Sequence, residues 1–446
     1  MRSALYAFAL AAVASTATAA PAIPVLADQQ RDLDYARTEY VQKSPAFSPA
    51  QRQRAERYIA QLQARRQVLG HAEFLAAALR IAAFAENGHD AVDVGDGAWW
   101  PDARLPVRTL WMTDGIVVAR AAPAQHALLG ATVTAIEGRT PAVLLKQLRR
   151  YGGGTDAYNA WNMNWVIETA GMLHAMGLAA QPDRLRLSLR LADGRTLDRS
   201  IAFVPNAEVP GGGKGERWWA APLTAGEQAR GWRAATDSAR DPLYVQQPDQ
   251  FHRSVDLQEL DALYIQLRIN VSVGEQQLAP FVAQLRQRLR EAPPRNLILD
   301  LRMDIGGDNE QTLELMRDIA AKVPGKIYVL TGPHTFSAGI ANAATLKHAA
   351  GQRAIIVGEA SGDRLRWWSE SRPVTLPASR VQFHLNGGYW DLIAGCKPNP
   401  LCYSDKYDSV VGRLAPQIAA PIRVADWLAG RDPGMAAVER DLRAQR

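Results

Sequence analysis

The chemistry-bearing part of this sequence is a serine among small residues, together with a paired-glycine turn upstream of it. Ser337 lies in YVLTGPHTFSAGI (residues 328–340), where an apolar run ends at Thr331-Gly332 and the next helix begins at Ala338. Ala338 and Gly339 leave the hydroxyl accessible, and the N–H of Ala338, at a helix start, is placed to meet a developing oxyanion. The second turn is NLILDLRMDIGGDN (296–309), in which an apolar run passes through Asp300-Leu301-Arg302 into Gly306-Gly307. Paired glycines between a strand and a helix let the backbone approach a ligand and expose N–H groups to an anion. Each piece alone also has a plain reading, a helix N-cap for Ser337 and an ordinary turn for the glycines.

Both turns sit in a region whose pattern is that of an α/β layer. ALYIQL (262–267), NLILDL (296–301), KIYVLTG (326–332) and AIIVGE (354–359) are short runs, mostly apolar. Between them lie helical stretches at about 276–291, 310–323 and 338–350. Strands that are apolar throughout and alternate with helices predict a sheet buried on both faces. From Val381 the tail adds one or two strands and a loop, GCKPNPLC, that contains Cys396 and Cys402. In an oxidising compartment this spacing reads as a disulfide; a metal half-site is the alternative, but no His stands beside it.

The region before this layer is built differently. Arg2, the apolar run Ala4 to Val13 and Ala17-Thr18-Ala19 have the layout of a secretory signal peptide, with an apolar stretch of about ten residues, too short to span a bilayer. Residues 20–100 read as helical. Ser48-Pro49-Ala50-Gln51 is a capping box, and FLAAALRIAAFA belongs to a buried helix over about 72–85 that stops at Asn87-Gly88, just before His89. Residues 101–205 alternate like short strands, and 206–260 read as a linker and irregular crossover rich in Gly, Pro and Trp. The core then occupies 261–446. Among the 446 residues, 51 Lys and Arg are interspersed with 45 Asp and Glu, without a basic block, which argues against a nucleic-acid partner. His89, Asp90, Asp93 and Asp96 match no cation-ligand spacing and read as a solvated loop, so neither a metal nor a cofactor is expected. The Trp pairs at 99–100, 218–219 and 367–368 read as core or rim packing, with Trp367-Trp368 placed where a cleft could be lined.

Taken in order and register, ALYIQLRIN, LILDLRMDIGGDN, VLTGPHTFSAGI and IIVGEASGD resemble the tail-specific (C-terminal processing) protease family over about residues 260–420. The resemblance implies a crotonase- and ClpP-like α/β superhelix, Ser337 as nucleophile, and an oxyanion hole from Gly306 or Gly307 with Ala338. Residues 129–139 further resemble the strand-turn-strand of a PDZ-like module, though without the usual Asp after Gly130. Other departures bear on chemistry. Asp304 stands where the family often has Asn, Ile340 follows Gly339, and Ala360 occupies the place of the dyad lysine. Lys347, Lys397 and Lys406, the lysines after Ser337, are poorly placed to replace it.

A different base is therefore implied. The branch resembling the tricorn core protease draws a His from the segment before the PDZ-like module, and His89 in ENGHDAV fits that place. The same comparison assigns the orienting carboxylate to Asp408, with Glu359 as the alternative. The expected protein is an exported, periplasmic or secreted serine peptidase acting on peptides or proteins, without a membrane span. A catalytically silent peptide- or ligand-binding protein of the same fold and a non-peptide esterase are the alternatives.

Overall fold

The computed structural model describes residues 25–93, 102–209, 223, 225–407 and 409–444. The signal-peptide segment, Asp96, the Trp pairs at 99–100 and 218–219, and the run 210–215 lie outside the described residues.

The N-terminal helices are α1 (Leu26–Tyr35), α2 (Pro49–Gln63) and α3 (His71–Ala83). The capping box forms as the sequence predicts: the Gln51 N–H donates to Ser48 Oγ, and the Ser48 N–H donates to Gln51 Oε1 at 2.8 Å. Helix α3 is buried on most of its circumference, from Phe74 to Ala83 except Arg80. There follows an antiparallel sheet in the order β1 (Val107–Met112), β2 (Gly115–Ala121), β3 (Thr132–Ile136), β4 (Arg184–Arg190) and β5 (Thr196–Ala202). Alternate residues of β4 are buried, as expected when one face of a sheet is covered and the other is wet. Helix α4 (Asp156–Asn162) lies in the excursion between β3 and β4.

The C-terminal half holds a second sheet, ordered β6 (His252–Leu257), β7 (Ala262–Leu267), β8 (Asn296–Asp300), β9 (Ile327–Thr331), β10 (Ala354–Gly358) and, at its edge, the two-residue strand Ile418–Ala419. All neighbours are parallel except the antiparallel edge pair β6–β7. Strand β6 falls in the stretch read from sequence as irregular crossover. Its pattern there is HRSVDL, too polar to look like a buried strand, and an edge strand has no need to be apolar on both faces. Every residue of β7, β8 and β9 is buried. Helices α5 (Leu278–Glu291), α6 (Glu310–Lys322) and α7 (Ala338–Ala350) cover one face through Leu285, Leu315, Ile319, Ile340 and Leu346. Helix α8 (Pro433–Arg443) covers the other through Met435, Val438 and Leu442.

Beyond β10 a long hairpin, β11 (Arg366–Thr375) with β12 (Gln382–Asp391), reaches back to the N-terminal region. Val92 and Asp93 pair with Phe383 and Gln382 as a third strand. Val374 and Phe383 share one apolar core with Phe74, Leu75 and Ile81 of α3 and with Val118, Val133 and Leu187 of the first sheet. The first sheet, the N-terminal helices and the hairpin are thus packed as one body.

Arg302 explains the charged end of the β8 motif. Its guanidinium donates to Asp300 Oδ2 at 2.6 Å and to Asp432 Oδ1 at 2.7 Å, and it lies 4.4 Å from the Tyr244 ring centroid. Asp432 caps α8, so this buried cluster pins the last helix to the strand ends. The guanidinium and its hydrogen bonds hold the Asp300 carboxyl below the usual range against the opposing effect of burial. No helix among the described residues is long and apolar enough to cross a membrane.

Cys396 and Cys402 form a disulfide with a Cα separation of 5.3 Å. Denaturation without reductant should therefore expose no free thiol in a thiol-titration assay. Replacing both cysteines by alanine should lower stability by about 2 kcal/mol, the loop-closure value for so short a ring, as read from denaturant midpoints.

Candidate functional site

Ser337 adopts φ 52° and ψ −121° immediately before α7. A non-glycine residue in this region carries roughly 1–3 kcal/mol of backbone strain, which neighbours must hold in place. The neighbours are identifiable. The Phe336 N–H donates to the carbonyl of Asp304 at 2.9 Å, and the Thr335 hydroxyl donates to the carbonyl of Leu301 at 2.7 Å. The residues around the serine are thereby stitched to the turn that follows β8. Gly306 is at φ 102°, and a Cβ there would lie 2.5 Å from Ser337 Cβ and 3.1 Å from the nitrogen of Ala338. The paired-glycine turn therefore packs directly on the serine, as its composition suggested.

Asp304 organises that turn. Its fully buried carboxylate accepts from Asn270 Nδ2 at 2.7 Å on each oxygen, and Oδ1 also accepts the Gly306 N–H at 2.9 Å. Asn342, one turn into α7, donates to Asn270 Oδ1 at 2.9 Å, and Thr312 of α6 donates to Asn342 Oδ1 at 2.7 Å. Because the Gly306 N–H is engaged, the N–H groups at the serine that donate to nothing among the described residues are those of Gly307, Ser337 and Ala338. Of the two glycines considered from sequence, Gly307 is the one with an N–H to offer an oxyanion.

His89 arrives from the opposite end of the chain. Its ring stacks on Phe336, the residue before the serine, with centroids 4.3 Å apart, and lies parallel to Trp367 at 6.1 Å. The structure thus brings His89 next to the Ser337 segment, although neither ring nitrogen makes a hydrogen bond among the described residues. Trp367 is buried and continues into a stack with Trp390 and then Tyr407, rather than standing open in a cleft. The loop around His89 is not a solvated acidic loop. Asp90 is buried and accepts from Tyr40 at 2.6 Å, Asn87 at 2.6 Å and Asn386 at 3.0 Å, while Asp93 meets His384 Nε2 at 2.7 Å. Asn87 also bonds both backbone groups of Trp368.

The carboxylates fall out differently from one another. Asp408 lies outside the described residues; its neighbour Tyr407 donates to Glu310 Oε1 at 2.9 Å. Glu359 accepts from the Thr113 hydroxyl and, at 3.3 Å, from the Ile422 N–H, which ties the β1–β2 turn to the strand end; burial raises its pKa. The carboxylate that meets His89 is Asp363, whose Oδ2 lies 3.4 Å from Nδ1. Sequence reasoning passed over it, although it closes the motif IIVGEASGD. Lys347 donates to the carbonyl of Ala354 at 2.6 Å at the far end of α7, Lys397 lies 3.9 Å from Asp405, and Lys406 lies over Tyr403. His334, three residues before the serine, packs tilted against Trp161, and desolvation lowers its pKa to about 3, too low for an efficient general base near neutrality.

No protein-family model matches the sequence, and no curated protein does. Solved structures do. Mature CPAF aligns at 12% identity over 94% of this chain and 96% of its own, with a TM-score of 0.57. Mature CPAF complexed with lactacystin aligns at 13% identity over 94% and 98%, with a TM-score of 0.55. A CPAF mutant with serine replaced by alanine aligns at 12% identity over 94% and 96%, with a TM-score of 0.58. The chain therefore shares the fold of CPAF over nearly its whole length, an α/β fold of the kind its motifs implied.

Two measurements test the construction of this site. Gly306→Ala should lower stability by about 2–4 kcal/mol in chemical denaturation, since the added Cβ meets Ser337 and the φ is unfavourable for alanine. Burial raises the pKa of Asp90 to about 6, above the value near 4 of an unfolded aspartate. Between those values the unfolded chain has lost the proton and the folded chain has kept it. The stabilisation from protonated Asp90 is thus present below about pH 4 and lost as pH rises through about 6. The stability difference between wild type and Asp90→Asn should shift by up to about 3 kcal/mol in favour of the variant from pH 4 to pH 7.

Proposed function

We propose that this protein is an exported serine peptidase that cleaves peptide bonds through an acyl-enzyme on Ser337. The observation that carries the reading is the strained Ser337 backbone, held between the Gly306 turn and the ring-stacked His89 at a helix start with open N–H groups. The Ser337 hydroxyl attacks the carbonyl carbon while His89 takes its proton. The oxyanion accepts hydrogen bonds from the N–H groups of Gly307 and Ala338, a kind of donor typically worth about 3–4 kcal/mol each. The C–N bond then breaks as His89 returns the proton to the leaving amine. Water, activated by the same imidazole, hydrolyses the ester. Asp408 is the carboxylate that the family resemblance assigns to orient the ring. The signal-peptide layout at the N-terminus supports export.

CPAF, whose fold this chain shares, is known in its mature form complexed with lactacystin, which suggests that compound as a probe of the Ser337 site. One observation favours the silent-binder reading instead: the imidazole makes no hydrogen bond to Ser337. Such contacts are often long in a site without substrate and tighten on binding.

The experiment compares wild type, Ser337→Ala and His89→Ala on peptide and ester substrates, with fluorophosphonate labelling mapped by mass spectrometry. The expected result is labelling at Ser337, peptide hydrolysis reduced more than about 1,000-fold in either variant, and no effect of Lys347→Met. Unlabelled Ser337 with intact peptide binding would assign the protein to the silent class. Turnover of esters alone would make it an esterase.

A further inference from the structure

We propose that Asp363 is the positioning residue for His89, holding the imidazole with Nδ1 protonated and Nε2 free to accept the proton of Ser337. The proposal rests on the peptidase reading above, and concerns a residue that neither the motif comparison nor the fold likeness assigns.

The geometry begins with two buried atoms that lack a hydrogen bond, Oδ2 of Asp363 and Nδ1 of His89. The Asp363 side chain is 1% exposed and the His89 side chain 12% exposed, and Oδ2 faces Nδ1 at 3.4 Å. Oδ1 of the same carboxylate already accepts the N–H of Arg364 at 2.8 Å, which fixes the carboxyl plane and leaves Oδ2 without a hydrogen-bond donor. A buried carboxylate oxygen and a buried ring nitrogen both gain from sharing the proton on Nδ1, since each otherwise bears its desolvation cost alone.

Gly88 makes the approach possible. A Cβ at that position would stand 2.7 Å from Asp363 Oδ2 and 3.1 Å from Cε2 of Phe336, so a larger residue would push the carboxylate, the His-bearing loop and the nucleophile segment apart. The loop carrying Asp363 is also tied to both of the others. The Gly362 N–H donates to the carbonyl of Thr335 at 2.8 Å, two residues from the serine. The Arg364 guanidinium donates to the carbonyl of Glu86 at 2.9 Å, three residues from the histidine. Thr155, which caps α4, donates to the carbonyl of Gly362 at 2.7 Å and completes the clamp.

The charged and titratable groups around the ring are few. Asp363 lies at Nδ1, and Asp90 next to His89 in sequence interacts with it electrostatically. Arg364 approaches Oδ1 of Asp363 at 4.0 Å, and the phenol of Tyr158 responds to both Asp363 and Asp93. Phe336 and Trp367 supply the apolar faces. Asp363 is the carboxylate in this set aimed at a ring nitrogen.

The test follows the histidine by nitrogen-15 NMR in the full chain and measures hydrolysis in parallel. In the wild type, His89 should be the Nδ1-protonated tautomer at neutral pH. In Asp363→Asn the Nδ1-protonated tautomer should lose its dominance, and kcat should fall roughly 100-fold or more with KM little changed. Asp408→Asn should leave the tautomer in place. An Nε2-protonated ring in the wild type would overturn the proposal without need of any variant. So would an unchanged tautomer in folded Asp363→Asn, and transfer of the whole effect to Asp408→Asn would hand the role to that residue. The NMR result is independent of turnover, so a correct tautomer in a protein that hydrolyses nothing would refute the peptidase reading and leave the positioning of His89 standing.

Discussion

A carboxylate sealed from water, that of Asp304, sets the shape of the molecule's centre. It accepts from Asn270 and from the Gly306 N–H, and its own carbonyl accepts from Phe336, so one residue grips the turn after β8 and the segment after β9 together. Hydrogen bonds to a buried charge are worth about 1.5–3 kcal/mol each, and an unpaired charge in that position would be worse than none. The chain Thr312, Asn342, Asn270 extends the grip into α6 and α7. The strain at Ser337 persists because this network surrounds it on the sheet side.

On the other side the site is closed by parts of the chain that have no claim on the second sheet. The hairpin β11–β12 reaches out of that sheet and takes hold of Asn87, Asp90 and Asp93, and α4 brings Thr155 and Trp161 against the loops at 362 and 333. Burial of Phe383, Val374 and the α3 side chains in one core makes these contacts rigid rather than incidental. The histidine is therefore carried by an apolar interface. Its ring stacks on Phe336, and its neighbours Asn87 and Asp90 are bonded to each other, so the loop delivers the imidazole with Nδ1 towards Asp363.

What could be read in the sequence was what is local. The period of ALYIQL, NLILDL and KIYVLTG announces buried strands, Ser48 with Gln51 announces a helix start, and the two glycine-bearing turns mark where backbone must come close. Ser337, the Gly306-Gly307 pair, Ala338 and His89 stand out in this way or through family motifs as candidates, and the structure brings their segments together. Strand β6 was hidden because an edge strand in HRSVDL carries no apolar signature, and the acidic loop misled because Asp90 is surrounded by Tyr40, Asn87 and Asn386, residues scattered along the chain. Asp363 was hidden for the same reason. Its meaning lies in a meeting with His89 that no local pattern announces, and only its place beside the last core strand could have drawn attention to it.

The contact between Asn87 and Trp368 joins residues 281 positions apart. Closing a loop of that length costs entropy that is recovered only when both ends are already shaped to receive each other. The histidine segment and the serine segment can therefore meet only once the long stretch of chain between them has been ordered. Until they meet, the serine turn and the histidine loop are two unrelated stretches of chain, and the arrangement around Ser337 exists only in the finished fold. The order of the segments thus ties the completion of the site to the completion of the molecule.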